Sequence, residues 1–286
     1  MNKNVALVLQ GGGTRAIYTS GVLDVFMEKG ISFPYVIGTS AGALNACGYI
    51  SGDKGRNKQI TMVHMQRIRF ASLTNYLTRG TFFDFKYLFH EIPKELPFNW
   101  DAFYSAQVRL FCACTSFKSG KPAYFEKSQE EFLDGVAASA SLPAMIRKPV
   151  MVGGEPYCDG GVACAIPFRK PLEDGFKKIV IICTQPKGYR KDPDSEKLPL
   201  YMQRYVEKYP EFVEAFRKWH ATYNADMDEV DRLGETGQAF VLYPSRPPRV
   251  SVATRSKKAL NSLYDLGQKD AKTHFLELLD YLKEDF

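Results

Sequence analysis

A serine between two glycines is the feature of this chain that points most directly to chemistry. Gly38, Ser40 and Gly42 form the pattern G-x-S-x-G, which follows the apolar residues 35–37 and precedes a helix-compatible run. The pattern is typical of a nucleophile elbow, a tight strand-to-helix turn that exposes a serine side chain. Glycines suit such a turn because backbone passes close to backbone, and the following helix N-terminus favours negative charge on the serine oxygen. The alternative for Ser40 is an ordinary helix N-cap.

A triple glycine lies at the end of the first predicted strand. Gly11, Gly12 and Gly13 follow the apolar residues 5–9, and such a turn presents several backbone N–H groups to an anion. Dinucleotide binding is the alternative, since Ala16 completes a formal G-x-G-x-x-G/A pattern. That function requires an acidic residue at the end of the second strand, and this strand ends in G-T-S without one. We therefore interpret the glycines as an oxyanion cradle beside Ser40.

A carboxylate in a second glycine turn is the candidate base. Asp159 is followed by Gly160 and Gly161, after a predicted short hairpin at residues 149–154. Asp-Gly is also a routine hairpin signal, so this pattern alone does not assign a catalytic role.

Histidines offer a different base. His220 and His274 follow Ser40 and Asp159 in the chain, so by order either one could complete a Ser–Asp–His triad. Neither histidine has turn chemistry around it, and both lie in helix-like regions. The triad is therefore the alternative to a direct Ser–Asp pair.

Taken together, these motifs resemble those of the patatin-like phospholipases, serine lipid acyl hydrolases with a Ser–Asp dyad. Residues 11–15 match the family's G-G-G-x-R loop, residues 38–42 its G-x-S-x-G elbow and residues 159–161 its D-G-G/A turn. Residues 138–143, A-S-A-S-L-P, are similar to its A-S-x-x-x-P stretch. The similarity extends over residues 5–185 in the expected order. Ala16 departs from the pattern, since relatives often carry glycine after the arginine.

The resemblance implies roles for individual residues. Ser40 is expected to be the nucleophile and Asp159 the base, and the oxyanion hole is expected at Gly11, Gly12 and Gly13. The expected supporting residues are Arg15, Gly38, Gly42, Gly160 and Gly161.

The same resemblance implies hydrolysis of a lipid or other acyl ester, in lipid degradation, with no metal and no cofactor. A transacylase with the same acyl-enzyme and a non-catalytic lipid-binding protein are the alternatives. The sequence leaves open the positional specificity, the headgroup, the chain length and the oligomeric state.

Alternation of strand-like and helix-like segments predicts an α/β protein with a parallel-centred sheet. The resemblance implies a three-layer α/β/α fold of the patatin type, with added C-terminal helices. We expect a catalytic core over residues 1–186 and an extension packed on it over residues 187–286. Predicted strands are residues 5–9, 35–37, 109–115, 178–184 and 239–243; predicted helices are residues 16–28, 41–50, 53–67, 130–140, 200–218 and 270–283.

Residues 70–104 are the most aromatic part of the chain. They either pack a core or line an acyl pocket beside Ser40, above the sheet edge where α/β proteins bind ligands. A loose basic cluster follows at Arg246, Arg249, Arg255, Lys257 and Lys258. It is either solvated surface or a contact with anionic lipid, which makes peripheral membrane contact an expectation.

Bulk composition is that of an ordinary globular enzyme. Net charge is +6 without a long basic run, so we expect no nucleic-acid partner. The N-terminal apolar run is too short for a signal peptide and no stretch is long enough to span a membrane, which predicts a cytoplasmic protein. The six cysteines are then expected to be reduced thiols. A metal bound by Cys112 and Cys114 is conceivable, although no further ligand lies nearby in sequence.

Overall fold

One mixed β-sheet organises the molecule. The structure, a computed structural model, describes residues 4–192 and 198–283. Within these ranges eight strands form a sheet of order β5-β6-β3-β2-β1-β7-β8, and β4 also pairs with β3. The five strands β3, β2, β1, β7 and β8 are parallel, whereas β4 and the β5–β6 hairpin attach to β3 by antiparallel pairing. The strands are β1 (Val5–Leu9), β2 (Tyr35–Thr39), β3 (Arg109–Ser116), β4 (Pro122–Glu126), β5 (Val150–Val152), β6 (Glu155–Asp159), β7 (Lys178–Ile182) and β8 (Ala239–Leu242).

Helices cover both faces of this sheet. They are α1 (Ile17–Glu28), α2 (Ala41–Ile50), α3 (Arg56–Met62), α4 (Leu73–Arg79), α5 (Ile92–Glu95), α6 (Trp100–Ser105), α7 (Phe132–Ser139), α8 (Arg169–Glu173), α9 (Pro210–Arg217), α10 (Trp219–Glu235), α11 (Lys257–Thr273) and α12 (Phe275–Lys283). No helix within the described ranges combines the length and the apolar character that crossing a bilayer requires.

Strand alternation divides the core into two layers. Along β1, Leu7 and Leu9 point to one face and Ala6 and Val8 to the other, and all four are fully buried. The first face packs against α1, α2, α7 and α11, and the second packs against α8 and α10. Strands buried on both faces need continuous apolar sequence, as β1 and β7 have. The predicted three-layer α/β/α fold with a mostly parallel central sheet is confirmed.

Three predicted helices differ from the structure. The helix expected over residues 53–67 is limited to α3, Arg56–Met62, and a 3₁₀ turn follows at His64–Gln66. The helix expected over residues 200–218 is interrupted, because the residue before Pro210 cannot easily be helical and Tyr209 has φ −138°. The helix expected over residues 270–283 begins at Lys257 instead and is divided at His274. Strands β4 and β6 lie outside the predicted strands.

The long helix α11 packs against α1 through glycines. A Cβ on Gly21 would lie 2.2 Å from the Tyr264 carbonyl oxygen, and a Cβ on Gly267 would lie 2.2 Å from the Tyr18 carbonyl oxygen. The Tyr264 hydroxyl also donates to Asp24 at 2.6 Å. The two backbones therefore approach so closely that no larger residue fits at either glycine.

Gly267→Ala tests this contact. The added methyl group must displace the backbone of α1, so we expect a loss of about 1–3 kcal/mol in the free energy of unfolding. Chemical denaturation measures it, and Lys269→Ala, on the exposed side of the same helix, is the matched control. Equal stability of the two variants would contradict the packing described.

Candidate active site

Ser40 occupies a strained turn between β2 and α2. Its φ of 57° and ψ of −125° make it the one non-glycine residue with positive φ in the described part of the chain. Such a conformation costs on the order of 1–3 kcal/mol and persists only where its surroundings enforce it. Close approach enforces it here: a Cβ on Gly38 would lie 2.5 Å from the Ala43 nitrogen, and one on Gly42 would lie 2.5 Å from the Leu9 carbonyl oxygen. The predicted elbow glycines thus lie where only glycine fits.

Strand β3 brings Asp159 beside this turn. It pairs with β2 up to Ala113, opposite Thr39, and then with β6 from Cys114, opposite Asp159. The ends of β2 and β6 therefore meet along consecutive residues of β3. As a result the Ser40 hydroxyl donates a hydrogen bond of 2.7 Å to the Asp159 carboxylate, across 119 positions of sequence.

Neighbouring backbone groups hold the aspartate in place. Its other carboxylate oxygen accepts a 2.7 Å hydrogen bond from the Gly161 N–H. Its own N–H donates to the Ser141 carbonyl at 2.9 Å, and its carbonyl accepts from the Thr115 hydroxyl at 2.8 Å. Gly160 is required because a Cβ there would lie 2.1 Å from the Ala113 carbonyl oxygen.

Ser139 is a positioning residue that the sequence analysis did not single out. Its hydroxyl accepts from the Ser40 N–H at 2.8 Å and donates to the Ala113 carbonyl at 2.6 Å. It therefore connects the elbow to β3 from the end of α7. The available signal was the A-S-A-S-L-P stretch, in which Ser139 is the first serine.

Burial tunes the acidity of the candidate base. The Asp159 side chain is almost fully buried, and burial raises its pKa to about 6 against the opposing effects of the Ser40 and Gly161 hydrogen bonds and of Lys191. A carboxylate is an efficient base when its pKa approaches the working pH. Asp159 is thus both within hydrogen-bonding distance of Ser40 and basic enough to accept a proton from it.

In the glycine loop, Gly11 differs from its expected role in the oxyanion hole. The Gly11 N–H donates to the Ala165 carbonyl at 3.0 Å, so it is not available to a substrate. In residues 4–192 and 198–283 we find no backbone acceptor for the N–H groups of Gly12 and Gly13. The candidate donors are therefore these two residues.

The region after residue 187 braces this loop. Thr14 donates from its N–H to the Val252 carbonyl at 3.0 Å and from its hydroxyl to the Ser251 carbonyl at 2.8 Å. Gly13 has φ +55°, and a Cβ there would lie 2.3 Å from the Val252 carbonyl oxygen. Arg15 follows with its guanidinium partly buried, and no described residue accepts a hydrogen bond from its Nε atom.

The two candidate histidines bond to other groups. His274 Nδ1 lies 2.7 Å from a Glu277 carboxylate oxygen, and His220 Nδ1 lies 2.7 Å from the Asp192 carbonyl oxygen. Because the Ser40 hydroxyl contacts Asp159 directly, no histidine lies between them. The arrangement favours the Ser–Asp pair over the triad.

An apolar cavity of about 190 Å³ opens beside Ser40. Phenylalanine and tryptophan side chains from the aromatic residues 70–104 form much of its wall, although Tyr76, Tyr87 and Tyr104 are not among them. Gly13 and Ser40 also line the cavity, and residues 252–255 complete it. The structure therefore supports both interpretations of the aromatic residues 70–104, since some of the rings pack in a core and others line the cavity.

The described residues contain no cluster of metal-ligating side chains. No group of three or more His, Cys, Asp or Glu side chains in those ranges is arranged to hold a metal ion. All six cysteines are buried and unpaired, including Cys112 and Cys114 on β3.

Comparison with known proteins gives two family-model matches. The model of the patatin-like phospholipases matches residues 7–172. A domain of unknown function, DUF6363, matches residues 209–283.

This chain is also similar to individual proteins and to a solved structure, at sequence identities of 29% or less. The uncharacterized protein YjjU of Escherichia coli K12 is 29% identical over 272 residues, which are 92% of this chain and 75% of that protein. The lysophospholipase NTE1 of Debaryomyces hansenii is 26% identical over 189 residues, 63% of this chain but only 12% of that protein. The crystal structure of VipD from Legionella pneumophila covers 96% of this chain and 67% of its own, with a TM-score of 0.45 and 10% identity.

The geometry predicts how Ser40 reacts with an organofluorophosphonate. Asp159 accepts the serine proton only when ionised, so the labelling rate should rise about tenfold per pH unit below its pKa of about 6 and level off above it. Mass spectrometry of the labelled peptide over pH 4.5–8 measures this rate. Ser40→Ala is the control for site identity, and a flat profile in that range would contradict the assignment.

Proposed function

The chain belongs to the patatin-like phospholipase family, and on that premise we propose that it is a lipid acyl hydrolase that cleaves carboxylic esters through an acyl-Ser40 intermediate. One observation carries the proposal. The Ser40 hydroxyl donates to the buried Asp159 carboxylate at 2.7 Å, in the wall of an apolar cavity. Nucleophile, base and a space for an apolar chain thus adjoin one another.

The first half of the reaction acylates the serine. Ser40 attacks the ester carbonyl while its proton passes to Asp159. The oxyanion of the tetrahedral intermediate accepts hydrogen bonds from Gly12 and Gly13, where the loss of one such donor typically costs about 10²–10³ in rate. The proton on Asp159 then passes to the alcohol oxygen as that group leaves.

The second half returns the enzyme to its starting state. Asp159 removes a proton from water, and the resulting hydroxide oxygen attacks acyl-Ser40. The same proton then passes from Asp159 to the Ser40 oxygen as the bond to the acyl group breaks and the fatty acid is released. The aromatic cavity holds the acyl chain during both halves, since burial of each CH₂ group contributes about 0.8 kcal/mol. Phospholipid-like and lysophospholipid-like esters are the proposed substrates, and the NTE1 lysophospholipases support this class. The buried, unpaired cysteines agree with a reducing, cytoplasmic setting.

Substitution of the pair tests the mechanism. We expect Ser40→Ala and Asp159→Asn each to reduce hydrolysis of a short-chain p-nitrophenyl ester by about 10³-fold or more, because each removes a reacting group. His220→Ala and His274→Ala are the matched controls and should retain activity. Circular dichroism confirms folding. A folded histidine variant as inactive as Ser40→Ala would replace the dyad with a triad, and acyl transfer to added alcohol would indicate a transacylase.

We propose in addition that the mouth of the cavity docks on an anionic lipid surface. Ile68, Leu73 and Leu77 have exposed fractions of 75%, 65% and 61%. Leu73 and Leu77 lie one turn apart on α4, and Ile68 lies between cavity-lining residues of the preceding segment. Exposed apolar groups concentrated at a cavity mouth are typical of an interaction surface.

Charge around the same mouth supports a lipid partner. Arg255 lines the cavity, and Lys257 and Lys258 follow it with exposed side chains. One member of the predicted basic cluster, Arg255, thus lines the same cavity as Gln66 and Phe70, which lie on either side of Ile68 in the chain. Each basic residue near an anionic membrane contributes about 1 kcal/mol to binding.

A triple substitution tests the docking surface. Ile68→Ser, Leu73→Ser and Leu77→Ser together should weaken binding to phosphatidylglycerol vesicles by at least tenfold, about 1.4 kcal/mol, without affecting cleavage of a soluble ester. The control is Leu276→Ser, since Leu276 is 73% exposed on α12. Vesicle co-sedimentation measures the binding of both variants. Unchanged vesicle binding of the triple variant, or an equal loss of binding in the control, would contradict the docking proposal.

A further inference from the structure

Within residues 4–192 and 198–283, two basic side chains beside the active site have no ion-pair partner. Arg15 follows the glycine loop, and its Nε atom is buried without a hydrogen-bond acceptor in the described ranges. Lys191 belongs to the segment after β7. In the same ranges neither side chain forms a salt bridge, although Arg190, next in sequence to Lys191, is paired with Asp228 and Asp231.

Lys191 is held in place by α10. Its backbone N–H donates to the Asn224 side chain at 2.7 Å, and its carbonyl accepts from the same amide at 2.9 Å. Its ammonium lies 4.1 Å from the centre of the Trp219 ring and 4.4 Å from that of Tyr223, which are cation–π distances. The side chain is therefore anchored rather than extended into solvent.

The electrostatics place Lys191 near both Arg15 and Asp159. Burial, followed by the Arg15 guanidinium, lowers the pKa of Lys191 to about 7, while the Asp159 carboxylate acts in the opposite direction. Asp159 forms no salt bridge with either cation in the described ranges, and its oxygens accept hydrogen bonds from Ser40 and Gly161. Tyr189 and Tyr223 are the groups that face Arg15.

A third donor beside the two cations also lacks an acceptor in the described ranges. The indole Nε1 of Trp219, the ring that Lys191 covers, is also buried without a partner in the described ranges. Buried cations and donors are unfavourable unless a negative group joins them. The fork of a guanidinium fits a phosphate, and an ammonium supplies a second point charge.

Resting on the proposed acyl hydrolase function, we propose that Arg15 and Lys191 form a subsite for a phosphate group on the alcohol side of the substrate ester. Neither residue lines the apolar cavity. Lys191 contacts Tyr223, which packs in the core layer on one face of the sheet. The cavity residues Leu44 and Phe103 belong to the core layer on the other face. A substrate therefore lies across Ser40, with its acyl chain in the cavity and its phosphate between the two cations.

Selectivity between two soluble esters tests the subsite. We compare kcat/KM for 1-octanoylglycerol 3-phosphate with that for 1-octanoylglycerol. Wild type should prefer the phosphate ester by at least tenfold, and Lys191→Met should reduce this ratio at least tenfold, as expected for a lost hydrogen bond to a charged group. Lys191→Arg should restore part of it. Lys187→Met, an exposed position in the same segment, is the control and should leave both values unchanged.

A binding experiment separates this proposal from the proposed function, because it needs no turnover. Glycerol 3-phosphate should raise the melting temperature of wild type and of Lys187→Met, but not that of Lys191→Met; glycerol should raise none of them. Inorganic phosphate could raise the melting temperature as much as glycerol 3-phosphate does, while Lys191→Met leaves the ratio of kcat/KM values for the two esters unchanged. That result would indicate a site for a free anion and would overturn the substrate subsite. Absence of both stabilisation and selectivity in wild type would overturn the subsite outright. If wild type cleaves neither ester but glycerol 3-phosphate stabilises it through Lys191, the acyl hydrolase function fails and the anion site stands.

Discussion

The pairing of β3 with two successive partners is the constraint on which the site depends. Consecutive residues of β3, Ala113 and Cys114, lie opposite Thr39 at the end of β2 and Asp159 at the end of β6. Because the register of a strand pair fixes which residues face each other, this one strand sets the distance between the elbow and the aspartate. The Ala113 carbonyl adds to the constraint, since Ser139 donates to it and Gly160 packs against it. A one-residue change of register in either pairing alone would displace Ser40 relative to Asp159.

Burial then gives that geometry its chemical character. A carboxylate removed from water has a raised pKa, and the apolar layers around the end of the sheet bury Asp159 while a hydrogen bond keeps it on Ser40. A strained Ser40 backbone is tolerated because the surrounding strands and glycines permit no other conformation. The same close packing that stabilises the core thus produces a basic carboxylate beside a serine that lines the cavity.

The described residues after 187 also contribute to this arrangement. Strand β8 extends the sheet beside β7, α11 packs on α1, and residues 251–254 hydrogen-bond to Thr14 behind the glycine loop. Tyr223 of α10 accepts a hydrogen bond from Gln10 at the end of β1 at 3.0 Å. The conformation of the loop that precedes Arg15 therefore depends on contacts with residues more than 200 positions away.

The sequence by itself determined the elbow, the glycine loop and the aspartate turn, because each is a local motif in which neighbouring residues define the backbone. It also determined the α/β class, since buried parallel strands need continuous apolar runs such as residues 5–9 and 179–182. It could not determine that Gly11 donates to Ala165, that Ser139 supports Ser40, or that Lys191 comes close to Arg15. Those contacts join positions separated by between 99 and 176 residues, so only strand register and packing bring them together. The interrupted helix after residue 200 and the early start of α11 have local causes that the sequence analysis missed. Pro210 disfavours a helical conformation at Tyr209, and the Ser256 side chain caps α11 by accepting a hydrogen bond from the Ala259 N–H.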